Sequence, residues 1–487
     1  MRVPSSRWWL AAVVIVLVIR FVSLSTYPLT DTTEARYGEI ARVMATSENW
    51  ITPQLEPGVP FWAKPPLSFW QGAASVTLLG TSEFAVRLPM FLNVLVVLAL
   101  AYGFARYLCN HRHALISTFI IITSVVGFIS SGAVMTDSAM MLSTTLAMIS
   151  FWYALEHGSR HWGYCFFIAL VIGFLAKGPV AWVLTGIPII LWLTLHRRWA
   201  DLWTRLPVVS GVGMVIVFTL PWFIMSELRT PGFLNYFFVG EHLLRFVDSG
   251  WTGDRYGTAH DEPRGTIWLF TLAAFAPWSV VAMVIGAAKL LKFRFQPLLG
   301  TLSPIQHYLI LWCVWPSVFF TFAGNILPTY VLPALPAFAM LLAMALNQSR
   351  KSLLLIVPGL LLPVAVVFAG PLGIMDRLEQ QTQRALIHYA QSTYPKVPLV
   401  YVGKAPHSAR FYSHGTAKFF PDVDSLRVWS QSQDSVLIAA PQSTGLPAVL
   451  NEKPLNYIGH WNSYDLYVLD SPVAPLTSHS PNAVPSP

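Results

Sequence analysis

The sequence predicts an all-α polytopic membrane domain followed by a small C-terminal α/β domain. Hydrophobic residues make up 54% of the 487 residues and charged residues only 11%, whereas water-soluble domains carry about 25% charged residues. Apolar runs of membrane-spanning length recur as far as residue 370. After Pro371 the pattern changes to short β-type runs separated by helix-like segments. The excess of Lys and Arg (31 against 23 acids) is scattered over short loops, which argues against nucleic-acid binding.

Eleven segments are apolar and long enough to span a bilayer, if neighbours accommodate the shorter ones. They are residues 8–25, 84–107, 114–130, 138–154, 162–176, 180–195, 206–225, 266–290, 305–322, 327–346 and 353–370. We interpret the first as an uncleaved signal-anchor, since ten more apolar segments follow it. The fifth and sixth are short and flank Lys177-Gly178-Pro179, so they form either two spans or one re-entrant feature.

Charge in the connecting loops predicts the orientation of these spans. If the N-terminus is cytoplasmic, the cytoplasmic connections contain almost no acids, only Glu156 and Asp201. Their basic residues are Arg106, Arg112, Arg160, Arg197, Arg198, Arg205, Lys289, Lys292, Arg294, Arg350 and Lys351. Because cytoplasmic loops are enriched in Lys and Arg, the loops 26–83 and 227–265 of the membrane domain (residues 1–370) are predicted to lie outside.

Residues 371–470 have the pattern of an external α/β domain. The segment 375–394 is predicted to be one amphipathic helix. Strands are predicted at 399–402, 417–420, 436–440, 455–458 and 464–469, with helix-like segments between the first four. The tail 471–487 is rich in Pro and Ser and is predicted to be disordered.

The first external loop concentrates acids and arginines in a chain otherwise poor in charge. Asp31 or Glu34 is a candidate general base that takes a proton from an acceptor hydroxyl. The same pair matches an N-cap followed by a capping-box glutamate, which would open a helix over 32–44. The two roles are not exclusive, and both stay open. Arg36 on that helix has the ordinary interpretation of an interfacial charge near lipid headgroups.

Lys64 lies on a stiff turn beside the membrane. Pro65 follows it, and the residue before a proline is held extended. Pro65 or Pro66 is predicted to start an interfacial helix that runs to Gly80. Lys64 is therefore suited to hold a phosphate as a point charge, with a snorkelling lysine as the alternative.

Two further ionisable residues lie at the ends of spans. Asp137 opens the fourth span and is either an N-cap or a functional group. Lys177 lies between two apolar runs, and a turn made by Gly178 and Pro179 would bring it to the external surface.

The second external loop contains His242 and Arg245 at i and i+3. On an α-helix they would share a face and together grip an anion. The alternatives are a Glu241–Arg245 pair or an aromatic interfacial helix with its charges facing water. A single histidine is weak evidence for a metal, because no second ligand is fixed by spacing. The cysteines also lack metal-site spacing.

Several motifs in a fixed order resemble those of a known family. They are Asp31-x-x-Glu34-Ala-Arg36-Tyr37-x-Glu39-Ile, Lys64-Pro65-Pro66, Asp137 after the third span, Lys177-Gly178-Pro179, Pro231-Gly-Phe-Leu with Glu241-His242-x-x-Arg245-Phe246, and Leu327-Pro328-x-Tyr330-x-Leu-Pro333. The chain resembles, as far as about residue 347, bacterial members of the protein O-mannosyltransferase-like branch of the glycosyltransferase C superfamily. Within that branch it is most similar to the lipid A 4-amino-4-deoxy-L-arabinose transferases.

The resemblance implies inverting transfer of a sugar from a polyprenyl (undecaprenyl) phosphate carrier to an external lipid or glycan such as lipid A. It implies a monomeric enzyme of the bacterial inner membrane with a periplasmic active site and C-terminal domain. Asp31 or Glu34 would be the base, with Asp137 in support. The carrier phosphate and substrate would be bound by Lys64 with Arg36, Tyr37, Lys177, His242, Arg245 and Tyr330.

Three positions depart from the family's pattern. Many relatives have an acid where this chain has Thr33, and aminoarabinose transferases have a glutamate where it has Ala63. Relatives often have a basic residue in place of Ile326. We therefore predict that no metal or other cofactor is required, and these positions leave the identity of the sugar and of the acceptor open.

The alternative function is a transporter or flippase of lipid-linked sugars. Transporters usually place ionisable groups near the bilayer midplane and contain internal repeats. Here the charges lie at span ends and in external loops, and no repeat is visible. A non-catalytic envelope scaffold would leave these acids and bases without a role.

Overall fold

The computed structural model describes residues 6–31, 33–248, 250–257, 260–293, 302–346, 350–403, 405–444, 446 and 455–470. The chain divides into two compact units. The first unit comprises Met1–Tyr27 and Arg36–Met375, and the second comprises Pro28–Ala35 and Asp376–Pro487. The predicted tail 471–487 lies outside the described residues.

The first unit is helical, apart from a short antiparallel pair of strands. Its α-helices are α1 Arg7–Ser23, α2 Thr33–Ser47 (whose first residues belong to the second unit), α3 Leu67–Leu79, α4 Glu83–Leu108, α5 His111–Thr123, α6 Val125–Ser130, α7 Asp137–His157, α8 Arg160–Lys177, α9 Val180–His196, α10 Trp199–Arg205, α11 Val208–Arg229, α12 Arg245–Val247, α13 Thr266–Ala274, α14 Trp278–Phe293, α15 Pro304–Phe320, α16 Leu335–Ala345 and α17 Ile356–Val367. A π-helix covers Asn235–Leu244, and 3-10 helices cover Pro328–Ala334 and Arg350–Leu355. The strands are β1 Gln54–Glu56 and β2 Val59–Pro60.

By length and composition, four of the described helices can cross a membrane, or up to six if each bent pair forms one span. The polytopic helical character predicted from the sequence is confirmed. The count of eleven spans stays a prediction.

The chain bends within two of the predicted spans. The segment 114–130 breaks at Ser124, where the backbone is extended and α5 gives way to α6. The segment 266–290 consists of α13 and α14, which meet at 103°. Pro277 lies at that bend, and proline has no N–H with which to continue a helix.

Close packing of α7 against α8 brings two ionisable residues together. A Cβ atom on Gly173 of α8 would lie only 2.3 Å from Ser143 Oγ of α7, so glycine permits the approach. Ser143 Oγ also donates to Ala169 O at 2.7 Å. Because Asp137 is the first residue of α7 and Lys177 the last of α8, this packing places both at the same end of the pair.

The second unit contains a five-stranded sheet in the order β4-β3-β5-β7-β6. Its strands are β3 Leu399–Val402, β4 Lys418–Phe420, β5 Ser435–Pro441, β6 Leu455–Trp461 and β7 Tyr464–Asp470. Strand β3 pairs in parallel with β4 and β5, and β7 pairs antiparallel with β5 and β6. All five predicted strands are confirmed, and so are the helices after β3 and β4, α20 His407–Tyr412 and α21 Val423–Ser430.

One prediction for the second unit is wrong. The segment 375–394 is not a single helix but two, α18 Ile374–Glu379 and α19 Arg384–Thr393. The backbone between them leaves the helical path because its polar groups bond elsewhere in the unit. Gln381 O accepts from Asp31 N at 3.0 Å, and Gln383 N donates to Ser408 Oγ at 3.1 Å.

Candidate active site

A buried carboxylate, that of Glu241, gathers two cations of the first unit. Lys64 Nζ lies 3.2 Å from Glu241 Oε2, and Arg245 Nη1 lies 3.1 Å from the same oxygen. Tyr236 donates its hydroxyl proton to Glu241 Oε1 at 3.1 Å. The Glu241 side chain is only 3% exposed, against 24% for Lys64. Arg245 also pairs with Asp254 Oδ2 at 3.3 Å.

The electrostatics of this cluster keep its members charged. Burial favours neutral forms and by itself would lower the pKa of Lys64, but Glu241 outweighs it and the pKa lies above its usual value. Burial would raise the pKa of Glu241, yet Lys64 and Arg245 hold it below its usual value. Burial by itself would lower the pKa of Arg245, but the charge of Glu241 outweighs it and the pKa lies above its usual value. The cluster is therefore a set of mutually stabilised ions.

Local structure fixes where Lys64 and Glu241 stand. Lys64 Nζ also donates to Ala63 O at 2.8 Å, and Pro66 is the N-cap of α3, which confirms the predicted helix start. Glu241 lies in the π-helix Asn235–Leu244. Such wide turns are rare and are frequent at functional sites.

A second ion pair joins Asp137 and Lys177. Lys177 Nζ lies 2.7 Å from Asp137 Oδ1 and 4.8 Å from the centre of the Tyr330 ring. Both charged side chains are little exposed, at 12% and 13%. The alternative in which Asp137 is an N-cap is wrong, because Thr136 holds that position and Asp137 begins the helix proper.

His242 and Arg245 do not converge on one point. His242 Nδ1 lies 2.7 Å from Phe237 O, and His242 Nε2 lies 3.0 Å from Lys177 O. The Glu241–Arg245 pair, one of the alternatives drawn from the sequence, is present. The π-helix separates the two side chains, since its turn holds more residues than the α-turn that the prediction assumed. His242 instead connects the π-helix to the end of α8.

Arg36 and Tyr37 lie among aromatic rings of the first unit. Arg36 Nη1 donates to Tyr256 O, and its guanidinium lies 5.4 Å from the Tyr37 ring centre and 5.5 Å from that of Phe61. Tyr37 is 6% exposed and packs edge-on against Phe69 at 5.3 Å. Arg36 Nε is buried without a hydrogen-bond partner among the described residues. A buried donor in this state is suited to a ligand oxygen.

Asp31 and Glu34 belong to the second unit. Ser408 N donates to Asp31 Oδ1 at 3.0 Å, and Ser408 Oγ donates to Asp31 Oδ2. Glu34 is half-buried in the first turn of α2, which covers Thr33–Ser47 rather than the predicted 32–44. The predicted helix therefore exists, with a later end.

Sequence reasoning missed four members of the site. Glu241 was considered only as a partner of Arg245, because nothing local links it to Lys64, 177 residues away. Asp254 and Tyr236 carry no motif signal. Arg255, whose guanidinium lies 4.6 Å from the Trp62 ring centre and 5.5 Å from that of Tyr236, was also missed. Its only signal is its place in an aromatic loop.

Over the part of the chain that the structure describes, no three His, Cys, Asp or Glu residues gather as ligands for a metal ion. The absence of a metal requirement stays a prediction, based on Ala63.

The chain is similar to known glycosyltransferases over most of its length. A family model described as dolichyl-phosphate-mannose-protein mannosyltransferase matches residues 6–237. An undecaprenyl phosphate-alpha-4-amino-4-deoxy-L-arabinose arabinosyl transferase of Pseudomonas fluorescens is 28% identical over 71% of this chain and 61% of its own length. Its counterpart from an Enterobacter species is 30% identical over 69% of this chain and 59% of its own length. The chain thus spans about three fifths of the length of these curated relatives.

Solved structures share the fold. ArnT from Cupriavidus metallidurans bound to undecaprenyl phosphate superposes with a TM-score of 0.76 at 19% identity, covering 96% of this chain and 98% of that one. The same protein in the apo state gives a TM-score of 0.73 at 21% identity over 95% and 97%. The resemblance that the motifs indicated is confirmed by the named homologues and by this shared fold.

Proposed function

We propose that this protein is a membrane glycosyltransferase that moves one sugar from an undecaprenyl phosphate carrier to an external lipid or glycan such as lipid A, with inversion. The observation that carries the proposal is the buried cluster of Lys64, Arg245 and Glu241 in a homologue of named aminoarabinose transferases. Buried ion pairs are expensive to maintain. A cluster of this kind therefore indicates a function rather than a contribution to stability.

The charge balance of the site favours a phosphate ligand. Lys64, Arg245 and Lys177 are matched by Glu241, Asp254 and Asp137. Two further arginines, Arg36 and Arg255, lie on aromatic rings and have no carboxylate partner among the described residues. Five cations face these three carboxylates, or four carboxylates when the proposed base is included. The remaining positive charge suits an anion, and most of all a phosphate that gains charge as it departs.

The geometry supports a division of labour among these cations. Lys64 is a point charge, while the planar fork of Arg245 suits two phosphate oxygens at once. We assign the carrier phosphate to Lys64 and Arg245, with Arg36 and Lys177 adding positive charge. Tyr37, His242 and Tyr330 complete the binding set.

The proposed reaction is a single displacement. The acceptor oxygen bonds to the anomeric carbon as the bond from that carbon to the carrier phosphate oxygen breaks, and the phosphate leaves with the electron pair. The acceptor proton passes to a carboxylate, which we assign from the motif to Asp31 or Glu34. Asp137 supports the reaction by holding Lys177 in place.

We place the enzyme in the bacterial inner membrane as a monomer with a cytoplasmic N-terminus. The support is the one-sided distribution of Lys and Arg in the loops. The carrier-linked donor then meets the site from the periplasmic leaflet, where no nucleotide sugars are present. The membrane domain 1–370, the external domain 371–470 and the lack of a metal requirement belong to the same proposal.

The test uses the full chain in lipid nanodiscs with undecaprenyl phosphate-aminoarabinose and lipid A, with mass spectrometry of both lipids. Wild type should release undecaprenyl phosphate and add the sugar mass to the acceptor, and Lys64→Ala should lose at least about a hundredfold of this activity. Lys396→Ala, which removes an exposed lysine of the second unit, is the matched control.

Near-normal turnover by Lys64→Ala would remove that residue from the site. In sealed liposomes, movement of intact donor across the bilayer without cleavage would replace the transferase with a flippase.

A further inference from the structure

The Asp31 carboxylate is held by one buried residue of the second unit. Ser408 donates its backbone N–H to Oδ1 at 3.0 Å and its hydroxyl to Oδ2. Ser408 is fully buried, at 0% exposure. Both carboxylate oxygens are therefore engaged by donors that the fold fixes in place.

The serine hydroxyl is oriented toward Asp31 by its other neighbour. Gln383 N donates to Ser408 Oγ at 3.1 Å, so the hydroxyl proton is free to point at Asp31. Gln383 is itself buried and accepts from the Tyr401 hydroxyl at 3.3 Å. A chain of buried polar groups thus leads from the sheet to the Asp31 carboxylate.

The backbone around Asp31 is fixed in the same way. Asp31 N donates to Gln381 O at 3.0 Å, and Leu29 N donates to the Tyr412 hydroxyl at 2.7 Å. The Leu29 side chain is fully buried. These bonds explain why Pro28–Ala35 belongs to the same compact unit as the C-terminal residues.

We propose that Asp31 is a positioning residue, which anchors the segment Pro28–Ala35 to the C-terminal domain, and that Glu34 is the carboxylate that acts as base. The assignment of the base rests on the proposed function. A base must reach the acceptor proton, and the two donors of buried Ser408 hold the Asp31 carboxylate in place within the second unit. Glu34 follows three residues later, in the first turn of the helix whose start the anchor holds.

The C-terminal domain then has a role in the reaction. It fixes the backbone that leads into Glu34, so loss of the anchor should lower turnover without removing the base.

Isosteric and truncated variants separate an anchor from a base. Asp31→Asn keeps one acceptor oxygen and the shape, so it should retain activity within about tenfold, the cost of one weakened hydrogen bond. Glu34→Gln should lose about a hundredfold of activity or more, as expected for loss of a general base.

Ser408→Ala should lower kcat by as much as Asp31→Ala does, and the double variant should be no worse than Asp31→Ala alone. The pH profile of Ser408→Ala should keep the wild-type shape. Ser432→Ala, at an exposed serine of the same unit, is the control.

The anchor is overturned if Asp31→Asn loses activity as severely as Glu34→Gln while Ser408→Ala behaves as wild type. The result would make Asp31 the base.

Hydrogen exchange tests the anchor independently of activity. In the full-length protein in nanodiscs, Ser408→Ala and Tyr412→Phe should each speed amide exchange at 28–35 and leave the helices of the first unit unchanged. Unchanged exchange in both variants would refute the anchor. If wild type transfers no sugar, the proposed function and the role of Glu34 fail together, while the exchange result still decides the anchor.

Discussion

Replacing Glu241 with glutamine tests whether its carboxylate takes the place of a ligand anion. The substitution keeps the side chain's shape and an acceptor oxygen but removes the negative charge that faces Lys64 at 3.2 Å and Arg245 at 3.1 Å. Breaking a buried ion pair by removing one partner costs about 3–5 kcal/mol. We expect the lower end, about 3 kcal/mol, because Asp254 still pairs with Arg245.

The loss should be visible as a change in Tm. The entropy of unfolding is about 2.1 cal/mol/K per residue, so about 3 kcal/mol corresponds to a fall of about 3 °C in a chain of this length. Undecaprenyl phosphate should then raise the Tm of Glu241→Gln by more than it raises that of wild type, because its phosphate supplies the missing negative charge.

Differential scanning fluorimetry in detergent, with and without undecaprenyl phosphate, measures both effects. Glu48→Gln, at an exposed acid of the first external loop, is the control and should match wild type. A Glu241→Gln variant with wild-type Tm and wild-type response to the lipid would refute the idea that this carboxylate balances the phosphate-binding cations.

Two further predictions concern the Asp137–Lys177 pair and His242. Asp137→Ala should fold but lose about a hundredfold of transfer activity. A double-mutant cycle of Asp137→Ala and Lys177→Ala measures the pairing itself, and strictly additive losses of stability would contradict it. Burial lowers the pKa of His242 despite its two carbonyl neighbours. Neutral His242 therefore contributes to stability above the unfolded-state pKa of 6.5, and this contribution is lost as the pH falls through the lower pKa of the folded state. Wild type should therefore lose more Tm between pH 7.5 and pH 5 than His242→Gln does, with His161→Gln as the exposed control; equal losses would count against this linkage.

Local patterns in the sequence predicted most of the secondary structure. The apolar runs, the five strands of the second unit and the helix that starts after Lys64-Pro65-Pro66 all follow from composition and periodicity. These signals are short-range, because a strand or a helix start depends on neighbours along the chain. At the Ser124 break and in the gap between α18 and α19, hydrogen bonds to residues distant in sequence outweigh that local preference. The bend at Pro277 has a local cause, the missing N–H of proline.

The composition of the site was visible in the sequence, but its pairing was not. The motifs identified Lys64, Asp137, Lys177 and Arg245 as candidates. Only the tertiary structure joined Lys64 to Glu241 across 177 residues and Asp31 to Ser408 across 377. Charges in a chain are attracted to any opposite charge, and the packing of helices and strands decides which partner each one meets. The sequence by itself therefore determined the kind of protein and the residues proposed for its chemistry, and the fold decided which carboxylates balance cations and which one anchors a backbone.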